Sequence, residues 1–254
     1  MSPERIQVVC LAVGDLPDEY VLRLHAMLHR HMPAPFDLTC LVDRERGFPK
    51  DVRTLDVTGW PAPREGMRPT TYKLFLYDPV RVPLGDLLYM DTSLIVQKDL
   101  TPLIEFAYRQ PHELVAVKGL SYDTYNSCVL RIRQGGRLAA IPRAYEAGTS
   151  FEQKVPGDQD FAAGVIRQEG WEGLVTRFPD PMIQSYKVAR RAERRGRGLG
   201  RTMLGAAIIV KFNGPPKMHE LLDPRRRLRA AIDHRKPWHR DAWFWVRETR
   251  RHWR

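Results

Sequence analysis

Residues 6–13, IQVVCLAV, form an unbroken apolar run rich in β-branched side chains, the pattern of a strand covered on both faces. Gly14 and Asp15 turn the chain, Pro17-Asp18-Glu19 suit the first turn of a helix, and Val21, Leu24 and Leu28 recur at helical spacing. A second run, FDLTCLV at 36–42, makes the opening β-α-β and predicts a parallel sheet. Residues 47–70 are rich in Pro and Gly and read as a loop. The pattern then predicts a helix over 71–77, a strand ending at DLLYM and a helix over 100–108. Strands follow at 114–118 and 126–132, a helix at 157–166 and a late strand at 203–211. Asp223 before Pro224 starts a last helix, with Leu228, Ala231 and Ile232 on one face. The stretch RRAERRGRGLGR, residues 190–201, is basic and Gly-rich and reads as a mobile loop.

With 254 residues and 43% apolar content, the chain can fill one α/β core and carry an appendage. The division read here is a domain over 1–222 and a basic, Trp-rich helical extension over 223–254. Charge sharpens that picture. Residues 187–254 hold 20 Lys and Arg against 6 acids, a net of +14, while residues 1–186 carry −3 of the total of +11. In the tail, Trp238, Trp243, Phe244, Trp245 and Trp253 alternate with arginines. Three readings stay open for it: an anchor on an anionic membrane surface, nucleic-acid binding, or tryptophans packed on the body with solvated arginines. Cys10, Cys40 and Cys128 form no CxxC pair and lie in apolar runs, so reduced, buried thiols are expected. No signal peptide is read at the start, and the apolar stretch at 204–210 is far short of the ~20 residues of a membrane span. A cytoplasmic protein, peripheral on the inner face of the plasma membrane, is the expectation.

Asp91 interrupts an apolar run, LLYMDTSLIV, at the end of a strand. A carboxylate there stands where α/β sheets bind ligands, or it simply caps the next turn. His25 and His29 could face one another across a helix turn in zinc geometry, or be solvated helix residues. GRGLGR lacks the preceding strand and the Lys-Ser/Thr ending of a phosphate loop.

TTYKLFLYDP, LLYMDTSLIVQKDLTPL, YNSCVLRI, GDQDF and VKFNGPPK occur in this order. Together they resemble the GT-A glycosyltransferases, especially the retaining enzymes of glycosyltransferase family eight and their bacterial relatives, over residues 6–220. The resemblance implies an α/β fold with a Rossmann-like, mixed and mostly parallel sheet flanked by helices. It implies transfer of a sugar from a nucleotide-sugar, a UDP-sugar above all, to a glycan or lipid-linked acceptor. Asp91 matches the first aspartate of the family's aspartate-any-aspartate motif, and Ser93 stands in place of the second. Where relatives place a metal-binding His, this chain has Asn213 and Lys211. Asp91, Ser93 and Asn213 are therefore the implied ligands of Mn²⁺ or Mg²⁺, with two of the three altered. Lys211, Lys217 and the arginines of 190–201 are the alternative neutralisers of a leaving diphosphate.

By the same resemblance, Lys73, Thr92, Gly214 and Lys217 reach the donor, and Ala12, Val13, Gly14, Asp15 and Tyr20 meet its base and ribose. Asn126, Ser127 and Asp160 contact sugar or acceptor, with Cys128 in place of a usual Gly. Asp158 and Gln159 are the implied catalytic pair beside the anomeric carbon. Two alternatives stand beside transfer: a nucleotide-sugar-binding protein with a degenerate metal site, and a nucleic-acid binder working through the tail. Nucleic acid is the less expected partner.

Overall fold

The computed structural model describes residues 3–119, 125–152, 156–214, 217–225 and 245–254. The chain divides into two compact units, each assembled from separated stretches. Met1–Val21, Ala34–Thr92 and Ile104–Phe178 make the first; Leu22–Pro33, Ser93–Leu103 and Pro179–Arg254 make the second.

The first unit is built on a seven-stranded sheet. Its strands are β1 (Ile6–Ala12), β2 (Phe36–Val42), β3 (Val52–Asp56), β4 (Asp86–Met90), β6 (Leu114–Lys118), β7 (Tyr125–Arg133) and β8 (Val175–Arg177). Their order across the sheet is β3-β2-β1-β4-β7-β6-β8. Neighbours are parallel from β3 to β4 and between β6 and β8, while β7 runs antiparallel to both β4 and β6. The sheet is thus mixed and mostly parallel. Strands β1, β4 and β6 are buried nearly throughout, which explains their continuous apolar runs. The core adds Leu74, Phe75 and Leu76 of a 3-10 helix (Pro69–Tyr77), and Phe161 and Val165 of helix α4 (Asp158–Gln168).

The second unit carries a three-stranded sheet ordered β5 (Leu94–Val96), β10 (Ile209–Lys211), β9 (Ile183–Ser185). Helices α1 (Glu19–His31) and α2 (Thr101–Arg109) each begin in one unit and end in the other; α3 (Ala140–Glu146) lies in the first. Helices α5 (Tyr186–Arg195), α6 (Leu199–Ala206), α7 (Met218–Leu222) and α8 (Val246–His252) belong to the second. Within that unit His25 and His29 do meet, with their Nε2 atoms 2.9 Å apart. All three cysteines are buried and none is in a disulfide, as expected.

Four expectations need correction. The loop read over 47–70 contains β3, a five-residue edge strand with only Val52 buried, too short and polar to show as an apolar run. Residues 71–77 coil as a 3-10 helix rather than an α-helix, entered through Pro69 with no side-chain cap. The late strand expected over 203–211 is the end of α6 followed by β10, because a wholly apolar stretch hides the change of period.

Residues 190–201 are not a loop but the joint between α5 and α6. Glu193 accepts from the backbone N–H groups of Gly198 (2.9 Å), Gly200 (2.9 Å) and Arg201 (3.3 Å), which satisfies the orphan donors at the start of α6. Gly200 lets the helices touch: a Cβ there would lie 2.4 Å from the carbonyl oxygen of Ala189.

Trp245 and Trp253 are 6% and 3% exposed, and the Arg23 guanidinium lies over the Trp253 ring, so these two pack rather than meet a membrane. Trp238, Trp243, Phe244, Leu228, Ala231 and Ile232 lie outside the described residues.

Candidate functional site

Because β1, β2, β4 and β6 point the same way, their C-terminal ends share one edge of the large sheet, and antiparallel β7 brings its N-terminal end to that edge. In α/β folds this is the edge that binds ligands. It collects the loop after Ala12, then Asp91, then Asn126, Ser127 and Cys128. A bulge shapes it. Pairing of β6 with β7 jumps from Ala116–Leu130 to Val117–Asn126, so Ser127, Cys128 and Val129 bow away from β6. Val129 still pairs with Met90 on β4, and the Asp91 N–H donates to the Cys128 carbonyl at 2.8 Å.

Asp91 is not alone. The Lys73 ammonium lies 2.6 Å from its Oδ1, and the Tyr89 hydroxyl donates to the same oxygen at 2.7 Å. Lys73 is 4% exposed and Asp91 27%. The ammonium also sits 3.4 Å from both the carbonyl oxygen and Oγ of Ser127, and 4.8 Å above the Tyr89 ring. Burial works against the charge on Lys73, but Asp91 and then Asp158 outweigh it and raise its pKa above 10.5. Tyr89 is pushed well above its ordinary range, by burial first and by Asp91 next, so it stays a proton donor. Both contacts use Oδ1.

The second cluster joins β7 to α4. Asn126 Nδ2 donates to Gln159 Oε1 at 3.0 Å, while Asn126 Oδ1 accepts from the Cys128 N–H at 3.2 Å. Gly157 is the residue before the helix, so Asp158 and Asp160 both stand in the first turn, where the helix dipole favours a carboxylate. Asp158 is buried; Gln159 and Asp160 are half-buried. Thr92 and Ser127 are buried as well.

The third element is the turn after β1. Gly14 takes φ +63°, a conformation that favours glycine, and its N–H donates to Asp43 Oδ2 at 2.6 Å. Arg46, which the sequence reading passed over, ties this turn together. Its guanidinium donates to the carbonyls of Ala12 (3.0 Å), Gly14 (3.1 Å) and Leu16 (2.9 Å), and to the carboxylates of Asp18 (2.9 Å) and Asp43 (3.3 Å). Burial would raise the Asp43 pKa, but the Gly14 N–H and Arg46 lower it overall. The available signal was an acid directly after an apolar strand, as at Asp91. Val13 is half-buried and Asp15 exposed, whereas Tyr20 is 2% exposed and sits in the core.

The remaining expected residues belong to the second unit. The Ser93 carbonyl accepts from the Phe212 N–H at 3.0 Å, and the Ser185 hydroxyl donates to Asn213 Oδ1 at 2.8 Å. Gly214 is left-handed at φ +76°, and Lys217 Nζ donates to the Phe212 carbonyl at 3.0 Å. Lys211 is buried, and its Nζ has no hydrogen-bond partner among the described residues.

GT-A enzymes commonly use divalent metals, so the fit of such an ion can be tested on these donors. Asp91 supplies the only formal negative charge, and Lys73 already pairs with it. Ser93 is neutral, and Asn213 Oδ1 is engaged by Ser185. Hard divalent cations want several carboxylate or phosphate oxygens. The set does not fit a cation site supplied by the protein alone.

By sequence, no family model and no curated protein matches the chain. Solved structures do. The galactosyltransferase LgtC, in complex with donor and acceptor sugar analogs, matches with a TM-score of 0.53 at 16% identity, over 93% of this chain and 95% of its own. GlyE of Streptococcus pneumoniae TIGR4, a glycosyltransferase, matches with a TM-score of 0.56 at 16% identity, over 97% of this chain and 64% of its own. The bifunctional glycosyltransferase WbbM gives a TM-score of 0.59 at 12% identity, over 98% of this chain and 51% of its own. The fold of this chain is the GT-A fold of glycosyltransferase structures.

The Lys73–Asp91 pair yields a stability prediction. Lys73→Met strands a partly buried carboxylate and should cost about 3 kcal/mol, the low end for breaking a buried pair because Asp91 is part-exposed. The double variant Lys73→Met/Asp91→Asn should recover more than about 1 kcal/mol of the summed losses in denaturant unfolding. Simple additivity would mean that the two groups do not interact.

Proposed function

We propose that the chain is a glycosyltransferase that moves the sugar of a UDP-sugar to a glycan or lipid-linked acceptor with retention of configuration. One observation carries the reading: on a GT-A fold, a lysine-neutralised aspartate ends the central strand beside an Asn126–Gln159 pair that opens a helix. Lys73 cancels the charge of Asp91, so the donor's diphosphate can approach a carboxylate that would otherwise repel it. Asp158 and Gln159 lie beside the anomeric carbon, where they stabilise the positive charge that grows as its bond to the diphosphate oxygen breaks. A new bond forms to the acceptor hydroxyl oxygen. Retention brings that hydroxyl in on the face the diphosphate leaves, so a phosphate oxygen takes its proton. LgtC has been solved as an active-site glutamine-to-glutamate mutant, which agrees with a catalytic place for Gln159 here. The Arg46-braced turn after β1 holds base and ribose.

A thermal-shift series tests this directly. UDP should stabilise the protein where GDP and CMP do not, and Asp91→Asn and Gln159→Ala should each lower turnover about 10²- to 10³-fold. No stabilisation by any nucleotide or nucleotide-sugar would remove the reading. The neutral residues Ser93 and Asn213 favour a second one, a nucleotide-sugar-binding protein without turnover. Release of free UDP from UDP-sugars in the presence of acceptors would rule that second reading out.

The same proposal places the protein in the cytoplasm, against the inner face of the plasma membrane. No helix among the described residues is long and apolar enough to cross a membrane. Helix α5 supports a surface contact instead. Lys187, Arg191, Arg194 and Arg195 are exposed on one face, within an arc of about 100°, while Tyr186 and Ala189 are buried on the other. Pelleting with vesicles of phosphatidylglycerol, but not of phosphatidylcholine, is the expected result; Arg191→Glu/Arg195→Glu should abolish it.

A further inference from the structure

The sequence offers Tyr20 as the aromatic ring beside the turn after β1, but that side chain is 2% exposed and lies in the core. A different ring stands at this edge. The 3-10 helix is buried at Thr71 and from Lys73 to Tyr77, whereas Tyr72, between them, is only half-buried. With roughly three residues per turn, Tyr72 shares one face of that helix with Phe75, and Lys73 points elsewhere. Trp60, in the loop after β3, packs edge-on against both rings, its centroid 6.5 Å from Tyr72 and 5.5 Å from Phe75. Asp43 closes the turn after β1 through the Gly14 N–H. It also lies close enough to Tyr72 to raise the phenol pKa, adding to the larger rise that burial causes. Val13, Trp60 and Tyr72 pack against the same core cluster. The ring therefore stands beside the residues that brace the turn, while its chain neighbour Lys73 faces Asp91. All of these residues belong to the first unit.

We propose that Tyr72 lays its ring against the base of the bound nucleotide, in the role that burial denies to Tyr20. The inference rests on the proposed transferase reading and deepens it by naming the side chain that meets the base. Two neighbouring residues of one 3-10 helix then serve the two ends of the donor, Lys73 beside the diphosphate and Tyr72 beside the base. An aromatic face suits a base because stacking takes two flat apolar surfaces out of water and needs no particular pattern of hydrogen bonds. The edge-on contact with Trp60 holds the Tyr72 ring in place before the nucleotide arrives, so little freedom is lost on binding.

The test is binding of UDP to the full chain, read by calorimetry. Tyr72→Ala should weaken UDP about 10- to 100-fold, as loss of one base–aromatic stack would. Tyr72→Phe keeps the ring and should stay within about twofold of wild type. Tyr72→Leu fills the space without an aromatic face; it should weaken UDP as the Ala variant does, and it serves if that variant does not fold. Inorganic pyrophosphate, which has no base, should bind wild type and Tyr72→Ala alike. Unchanged UDP affinity in the Ala and Leu variants, or an equal loss for UDP and pyrophosphate, would overturn the inference while leaving the transferase reading intact. Failure of UDP to bind the wild-type protein would instead remove the reading on which it rests.

Discussion

One carboxylate oxygen at the end of the central strand takes both an ammonium and a phenol. Asp91 Oδ1 holds Lys73 at 2.6 Å and Tyr89 at 2.7 Å, and the rest of the candidate site is arranged around that shared atom. Three separate pieces of chain must converge for it to exist. Tyr89 and Asp91 come from β4 and its exit, Lys73 from a 3-10 helix buried over most of its length, and Ser127 from the part of β7 that bows away from β6. A carboxylate in this place without a cation would be expensive, and a buried lysine without a carboxylate more so. Each makes the other affordable.

The same solution, an acid tied to a buried cation, appears twice more in this unit, once at the same sheet edge. After β2, Asp43 receives the Gly14 N–H and the Arg46 guanidinium, and Arg46 in turn holds four points of the turn after β1. At the opposite end of β4, Asp86 pairs with the fully buried Arg131, which also donates to the His112 carbonyl. That last pair lies away from the ligand edge and serves the sheet. What sets Asp91 apart is its position at the end of the central strand, with both of its contacts on one oxygen.

Much of this was legible in the chain. Strands β1, β2, β4, β6 and β7 are doubly covered or nearly so, and unbroken apolar runs mark such strands whatever the tertiary detail. The place of Asp91 follows from the same signal, an acid where an apolar run stops. Contacts distant in sequence were not legible. Glu193 organises the start of α6 only once the chain has turned back on itself, so a basic, Gly-rich segment reads as a loop. Gly200 looks like a breaker and is in fact the point where two helices touch. The bulge that presents Ser127 and Cys128 depends on a register jump between β6 and β7 that no residue pattern announces. Arg46 sits in the ordinary polar stretch LVDRERG, and its five acceptors are scattered over the preceding 34 residues.

The central claim is that a sugar nucleotide places its diphosphate against the neutralised aspartate at the end of β4. The most direct measurement is a crystal structure of the protein soaked with a UDP-sugar. The account predicts density for the diphosphate alongside Asp91 and Lys73, with the sugar next to Gln159. A donor bound away from this edge, with Lys73 and Asp91 still paired only to each other and to Tyr89, would contradict it.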